Sequence, residues 1–115
     1  VKDCLFCRIA RREAPAEIIL ETEEVLVFRD INPVAPTHLL VIPKRHVGNI
    51  LDPHLSKEEK LAGELFRAVQ MAAAKTGLTP GGFRTVINCG PDAGEAIPHL
   101  HLHLIGGKKL SWPPG

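Results

Sequence analysis

His99-Leu100-His101-Leu102-His103-Leu104-Ile105 alternates imidazole and aliphatic side chains without a break. Successive side chains of a β-strand point to opposite faces. As a strand, the segment puts three histidines on one face and three leucines on the other. The leucines can anchor in a core, while the histidines form a row with about 6.5–7 Å between neighbours. The chain must therefore fold around a sheet with one face in a core and the other at a polar site. Imidazole titrates near neutral pH and can be general acid, general base, nucleophile or metal ligand.

The rest of the chain supplies the partners of that strand. Residues 4–11 read as a short helix with Leu5, Phe6 and Ile9 inward, ended by Ala14-Pro15-Ala16. Residues 18–20 and 25–29 form a hairpin pattern around a polar turn. Asp30-Ile31-Asn32-Pro33 is a turn, and residues 38–42 are a third strand closed by Pro43. Ser56 and Glu59 have capping-box spacing. Leu61, Leu65, Phe66, Val69, Ala72 and Ala73 then recur at helical intervals until Gly77. Residues 83–88 are a fourth strand and 90–94 a glycine-containing loop. The histidine strand spans 99–105, before Gly106-Gly107 and a Trp112-Pro113-Pro114-Gly115 tail. This is an α+β pattern with a mostly antiparallel five-stranded sheet, one long helix and a short N-terminal helix. One long helix covers one face of the sheet. The other face must hold a site or meet a partner, and a homodimer is expected on burial grounds.

Composition narrows the function. The 115 residues suit a single domain, 1–115, and 44% hydrophobic residues suffice for a core. A net charge of +1 with scattered signs argues against a nucleic-acid polymer as partner. No run is long and apolar enough for a membrane helix, and no signal-peptide pattern opens the chain. The expectation is a cytoplasmic protein without a membrane partner. Three cysteines, two of them as Cys4-x-x-Cys7, point to metal or redox chemistry rather than a disulfide framework. Cys89 reads as a small buried residue, and His54 carries no assigned role.

Three readings of the histidine row stay open on chemistry alone. A neutral imidazole can attack phosphorus to give a phospho-histidine that water cleaves, with its neighbours holding phosphate oxygens and moving protons. Two histidines at i and i+2 can instead share a zinc ion. The third reading is a row of polar residues on a solvent-facing surface.

His-x-His-x-His followed by aliphatic residues resembles the signature of the histidine triad family. Phe28-Arg29-Asp30-Ile31-Asn32-Pro33, Ala35-Pro36-Thr37-His38, Val41-Ile42-Pro43-Lys44, Val86-Ile87-Asn88, Gly106-Gly107 and the Trp-Pro-Pro-Gly tail follow that family's order over nearly the whole chain. The tail is similar to that of its nucleotide-binding branch. The resemblance implies a homodimer whose sheet continues between subunits, and hydrolysis of purine nucleoside phosphoramidates without a catalytic cofactor. His101 is then the nucleophile. His103 binds phosphate and aids proton transfer, and His99 and His38 complete a relay that orients His101. The resemblance places Asp30 on the ribose hydroxyls and Asn88 near the phosphate or ribose. Phe6, Ile9, Ile18, Phe28 and Ile31 line the base pocket. Gly94, Glu95 and Ala96 form a loop along the phosphate, and Trp112 reaches the neighbouring subunit's site. Cleavage of dinucleoside polyphosphates, the work of other branches, and a binding module with vestigial catalysis are the competing expectations.

Two features stand apart. Ala96 occupies a position that is often serine or threonine in the family, so the leaving amine loses a hydroxyl. Its help must come from backbone, water or Glu95. The resemblance also implies a structural zinc held by Cys4, Cys7, His46 and His99, as in some microbial members.

Overall fold

A computed structural model describes residues 4–115. In chain order the elements are α1 (Leu5–Ala10), β1 (Ile18–Glu21), β2 (Val25–Arg29), β3 (Thr37–Pro43), α2 (Pro53–Ser56), α3 (Glu59–Lys75), β4 (Phe83–Val86) and β5 (Leu102–Gly106). A single 3₁₀ turn, Pro91–Ala93, precedes β5. The five strands form one sheet in the order β1-β2-β3-β5-β4, with every neighbouring pair antiparallel.

Strand alternation divides the interior in two. Val25 and Val27 of β2, Leu39 and Val41 of β3, and Leu102 and Leu104 of β5 face α3 in one apolar cluster. Leu26 and Phe28 of β2 and Leu40 and Ile42 of β3 face the other way, against Phe6 and Ile9 of α1. His38 shares the second face, because it is two residues from Leu40. Leu40 pairs with His103 across β3 and β5, so the two imidazoles lie on adjacent strands of one face. Burial of that kind contributes roughly 1.5–3 kcal/mol per large aliphatic side chain.

The long helix follows the expected stripe, with one substitution. Leu61, Leu65, Ala68, Val69, Ala72 and Ala73 are buried, whereas Phe66 is 68% exposed. Phe66 follows Leu65 directly and falls about 100° around the helix, outside the stripe. The capping box is not formed. Asp52 and Pro53 start the earlier α2 turn, where Asp52 accepts the His54 N–H, and the Ser56 hydroxyl donates back to the Pro53 carbonyl. Helix α3 then begins at Glu59 without a side-chain cap. Its far end is a Schellman turn. Leu78 N–H reaches Ala73 O at 2.9 Å, Gly77 N–H reaches Ala74 O at 3.3 Å, and Gly77 adopts φ +77°.

The last two strands are shorter than the sequence pattern suggests. β4 ends at Val86 instead of 88, and β5 begins at Leu102 instead of 99. β5 starts later because the amides before it bond elsewhere, His99 N–H to the Ile97 carbonyl at 2.8 Å and Leu100 N–H to the Val47 carbonyl at 2.6 Å. Among the described residues no helix is long and apolar enough to cross a membrane.

Candidate active site

A cavity of about 680 Å³ opens on the face of the sheet that carries His38 and His103. Phe6 and Ile9 of α1, Phe28 of β2 and exposed Ile31 form apolar parts of its wall. Asp30, Asn88, Gly94, Ala96, His38, His101 and His103 also border it. Gly94 holds φ +77° at the end of the 3₁₀ turn, a conformation that costs an L-residue about 1–2 kcal/mol.

Hydrogen bonds fix the ring tautomers. His101 Nδ1 lies 2.7 Å from the His99 carbonyl oxygen, which can only accept, so Nδ1 carries the proton. In the neutral ring Nε2 then holds the unshared pair. His38 Nδ1 accepts the Val34 backbone N–H at 3.1 Å, which puts the His38 proton on Nε2. That Nε2–H donates to His103 Nδ1 at 2.8 Å, leaving His103 with its own proton on Nε2. Burial first, then the neighbouring His101 and His38, lower His103 to a pKa of about 4, against a weaker opposing pull from Asp30. The ring is thus a neutral donor at physiological pH.

Asp30 makes an Asx turn by accepting the Asn32 N–H at 2.8 Å through Oδ1. Its Oδ2 lies 3.4 Å from His38 Nε2. Asp30, His38 and His103 converge closely enough to suggest a metal site. The Val34 bond opposes that, because it keeps the unshared pair of His38 on Nδ1 and a proton where the metal must bind.

His99 departs from the expected row. Its ring is fully buried and points away from the cavity, with Nδ1 3.2 Å from Cys4 Sγ and 3.4 Å from Cys7 Sγ. Nε2–H donates to the Pro43 carbonyl at 2.9 Å, so Nδ1 presents a lone pair to the sulfurs. Burial holds His99 down at about 4 despite that bond, and burial together with Cys4 raises the Cys7 thiol. His46 Nδ1 stands 3.3 Å from Cys7 Sγ. The four ligand atoms lie within 4.8 Å of one another. Tetrahedral zinc needs sulfur and nitrogen ligands about 3.5 Å apart, and a ligating histidine ordinarily donates its second nitrogen to a carbonyl. Cys4, Cys7, His46 and His99 fit such an ion. The imidazole of His99 is therefore not placed to orient His101; its backbone carbonyl does so instead.

Ile18, Glu95 and Trp112 do not border the cavity. Ile18 pairs with Phe28 across β1 and β2 and lines a groove that shares Ala14, Pro15 and Ala16 with the cavity wall. The Glu95 carboxylate turns inward, accepting Gly90 N–H at 2.8 Å and Asn49 Nδ2–H at 3.3 Å. Both bonds fall on Oε1, and that oxygen ties down the loop. Trp112 is 79% exposed and lies over Arg84 of β4, with the guanidinium 5.5 Å from the ring centre. Sequence reasoning missed the Val34 amide, which no side-chain pattern encodes, and the Asn49–Glu95 bond.

The HIT domain family matches residues 11–110. An uncharacterized HIT-like protein of Synechococcus elongatus is 48% identical over 114 residues, covering 99% of this chain and 98% of that protein. A 14 kDa zinc-binding protein of Zea mays is 42% identical over 114 residues, covering 96% and 87%. The crystal structure of a HIT family hydrolase from Legionella pneumophila superposes with a TM-score of 0.93 at 42% identity, covering 98% of this chain and all of that one. By match to the family, by these relatives and by its fold, the chain belongs to the HIT domain family.

Proposed function

We propose that this chain hydrolyses the P–N bond of purine nucleoside phosphoramidates through a nucleotidyl-His101 intermediate. The observation that carries the reading is the 2.7 Å bond from His101 Nδ1–H to the His99 carbonyl, which leaves an unshared pair on Nε2 at the cavity. That pair attacks phosphorus as the P–N bond breaks, and the departing amine takes a proton from water. A second water then attacks phosphorus. The Nε2–P bond breaks, AMP is released and the water's proton returns to solvent. His103 Nε2–H donates to a phosphate oxygen, where charge develops. Phe6, Ile9, Phe28 and Ile31 supply apolar walls for the purine. Asp30 retains lone pairs for the ribose hydroxyls, and Asn88, Gly94 and Ala96 border the phosphate region.

The donor set of Cys4, Cys7, His46 and His99 fits zinc, which would tie α1 to the segments that follow β3 and precede β5; the reaction uses no cofactor. A cytoplasmic, reducing setting suits the free thiols of Cys4, Cys7 and Cys89. A homodimer joined along the open edge of β4 accounts for exposed Phe83 and brings Trp112 to the subunit boundary.

Ala96, which offers no hydroxyl, favours a second reading as a nucleotide-binding module. Steady-state hydrolysis of adenosine 5′-phosphoramidate separates the two. Turnover by wild type, abolished in His101→Ala while AMP still binds, is the expected result. A silent wild type that binds AMP establishes the module instead.

A further inference from the structure

Helix α1 belongs to both the thiol cluster and the cavity. Cys4 caps it by accepting the Cys7 N–H on Sγ at 3.3 Å, and the two sulfurs lie together against His99 Nδ1. Between them Phe6 turns into the protein and is 3% exposed. Its ring meets His101 edge-on at 5.1 Å, His99 at 5.9 Å and Phe28 at 5.5 Å between centres. Ile9, one turn further, completes the same stretch of cavity wall.

A helix of six residues has no stability of its own in water. No acidic side chain sits in its first turn to favour it. Its position therefore depends on what holds Cys4 and Cys7 and on how Phe6 packs. The restraints on His101 begin at the same place. One is the carbonyl of His99, whose ring faces the thiols, and the other is the ring of Phe6, which stands between the two cysteines in the sequence.

We infer that Phe6 is a positioning residue that couples metal ligation at Cys4 and Cys7 to the nucleotide cavity and the ring plane of His101, so that zinc and nucleotide bind with positive linkage. The inference rests on the zinc and nucleotide readings above. A metal that fixes α1 fixes the wall against which a purine packs. A purine that fills the cavity holds α1 in the position that aligns the thiolates. Linkage makes the two effects equal in size.

The test is an equilibrium one. Zinc-loaded wild type is titrated with a chelator of known zinc affinity, with and without saturating AMP, and zinc transfer is read by absorbance. AMP affinity is measured by calorimetry for loaded and stripped protein. AMP is expected to tighten zinc at least about fivefold, and zinc to tighten AMP by the same factor. Phe6→Leu is expected to keep one zinc per chain while the factor falls towards one. The His101 ring protons should shift on zinc removal in wild type and not in that variant, a signature that general stabilisation does not produce. Equal zinc affinity with and without AMP, in wild type that binds both, overturns the inference and leaves both readings standing. Wild type that takes up no zinc, or no AMP, overturns the corresponding reading and the inference with it. The wild-type measurement needs no variant and decides the matter should Phe6→Leu fail to fold.

Discussion

His103 is the residue whose environment departs furthest from that of a free side chain while bordering the cavity. It has an ordinary value of 6.5 and falls to about 4 when folded, chiefly through burial. Between those values the unfolded chain binds a proton that the folded ring refuses. The part of the stability linked to this ring is therefore full above about pH 6.5, declines as the pH falls towards 4, and levels off below. His103→Gln should make that decline shallower in urea denaturation series across this range, and an unchanged slope would refute the assignment. The ring should stay neutral by NMR at pH 5. Ala96 supports a second expectation. Its side chain borders the cavity without a polar atom, and Oε1 of Glu95 is bonded to Gly90 and Asn49. A hydroxyl at that position adds a hydrogen bond of about 1 kcal/mol, or roughly fivefold in rate. On the proposed reaction, Ala96→Ser should raise turnover of phosphoramidates with alkylamine leaving groups by about that factor, and unchanged turnover would refute the expectation.

At the level of elements, Gly77 offers a clean test because two effects separate. A Cβ there meets nothing within 4 Å, yet the backbone holds φ +77°. Gly77→Ala should cost about 1–2 kcal/mol by backbone strain alone, read as a lower urea midpoint without change in slope. An unaltered midpoint would mean that the Schellman turn relaxes freely. The Gly77 stop was legible in sequence, as were the hairpin and the buried third strand, because each is written in local periodicity. The capping box was misread because an Asp-Pro pair upstream, itself a helix-start signal, had already taken Ser56 into another turn. Phe66 was misread because hydrophobicity was counted without its angle around the helix. His99 lies outside its strand because Leu100 N–H bonds the distant Val47 carbonyl, a contact that the unbroken alternation does not encode.

Across the whole molecule, the sequence pattern identified the sheet and the long helix, and the family resemblance named several residues that border the cavity. It did not identify the direction of each hydrogen bond, since the Val34 amide and the His99 carbonyl belong to the main chain. Nor did it reveal that Glu95 faces inward, which depends on a contact with Asn49, 46 residues away. β5 lies between β3 and β4 and contributes to both sides of the sheet, with Leu102 and Leu104 on one and His103 on the other. Its far end is fixed by Gly106, where an added Cβ would come 2.8 Å from Leu78. Parity along this strand is therefore shared by folding and chemistry. Deleting one residue inside it sends an imidazole into the oil-like layer under α3 and a leucine into the cavity, so such an error cannot be partial: the frame that fills the core is the same frame that aims the histidine.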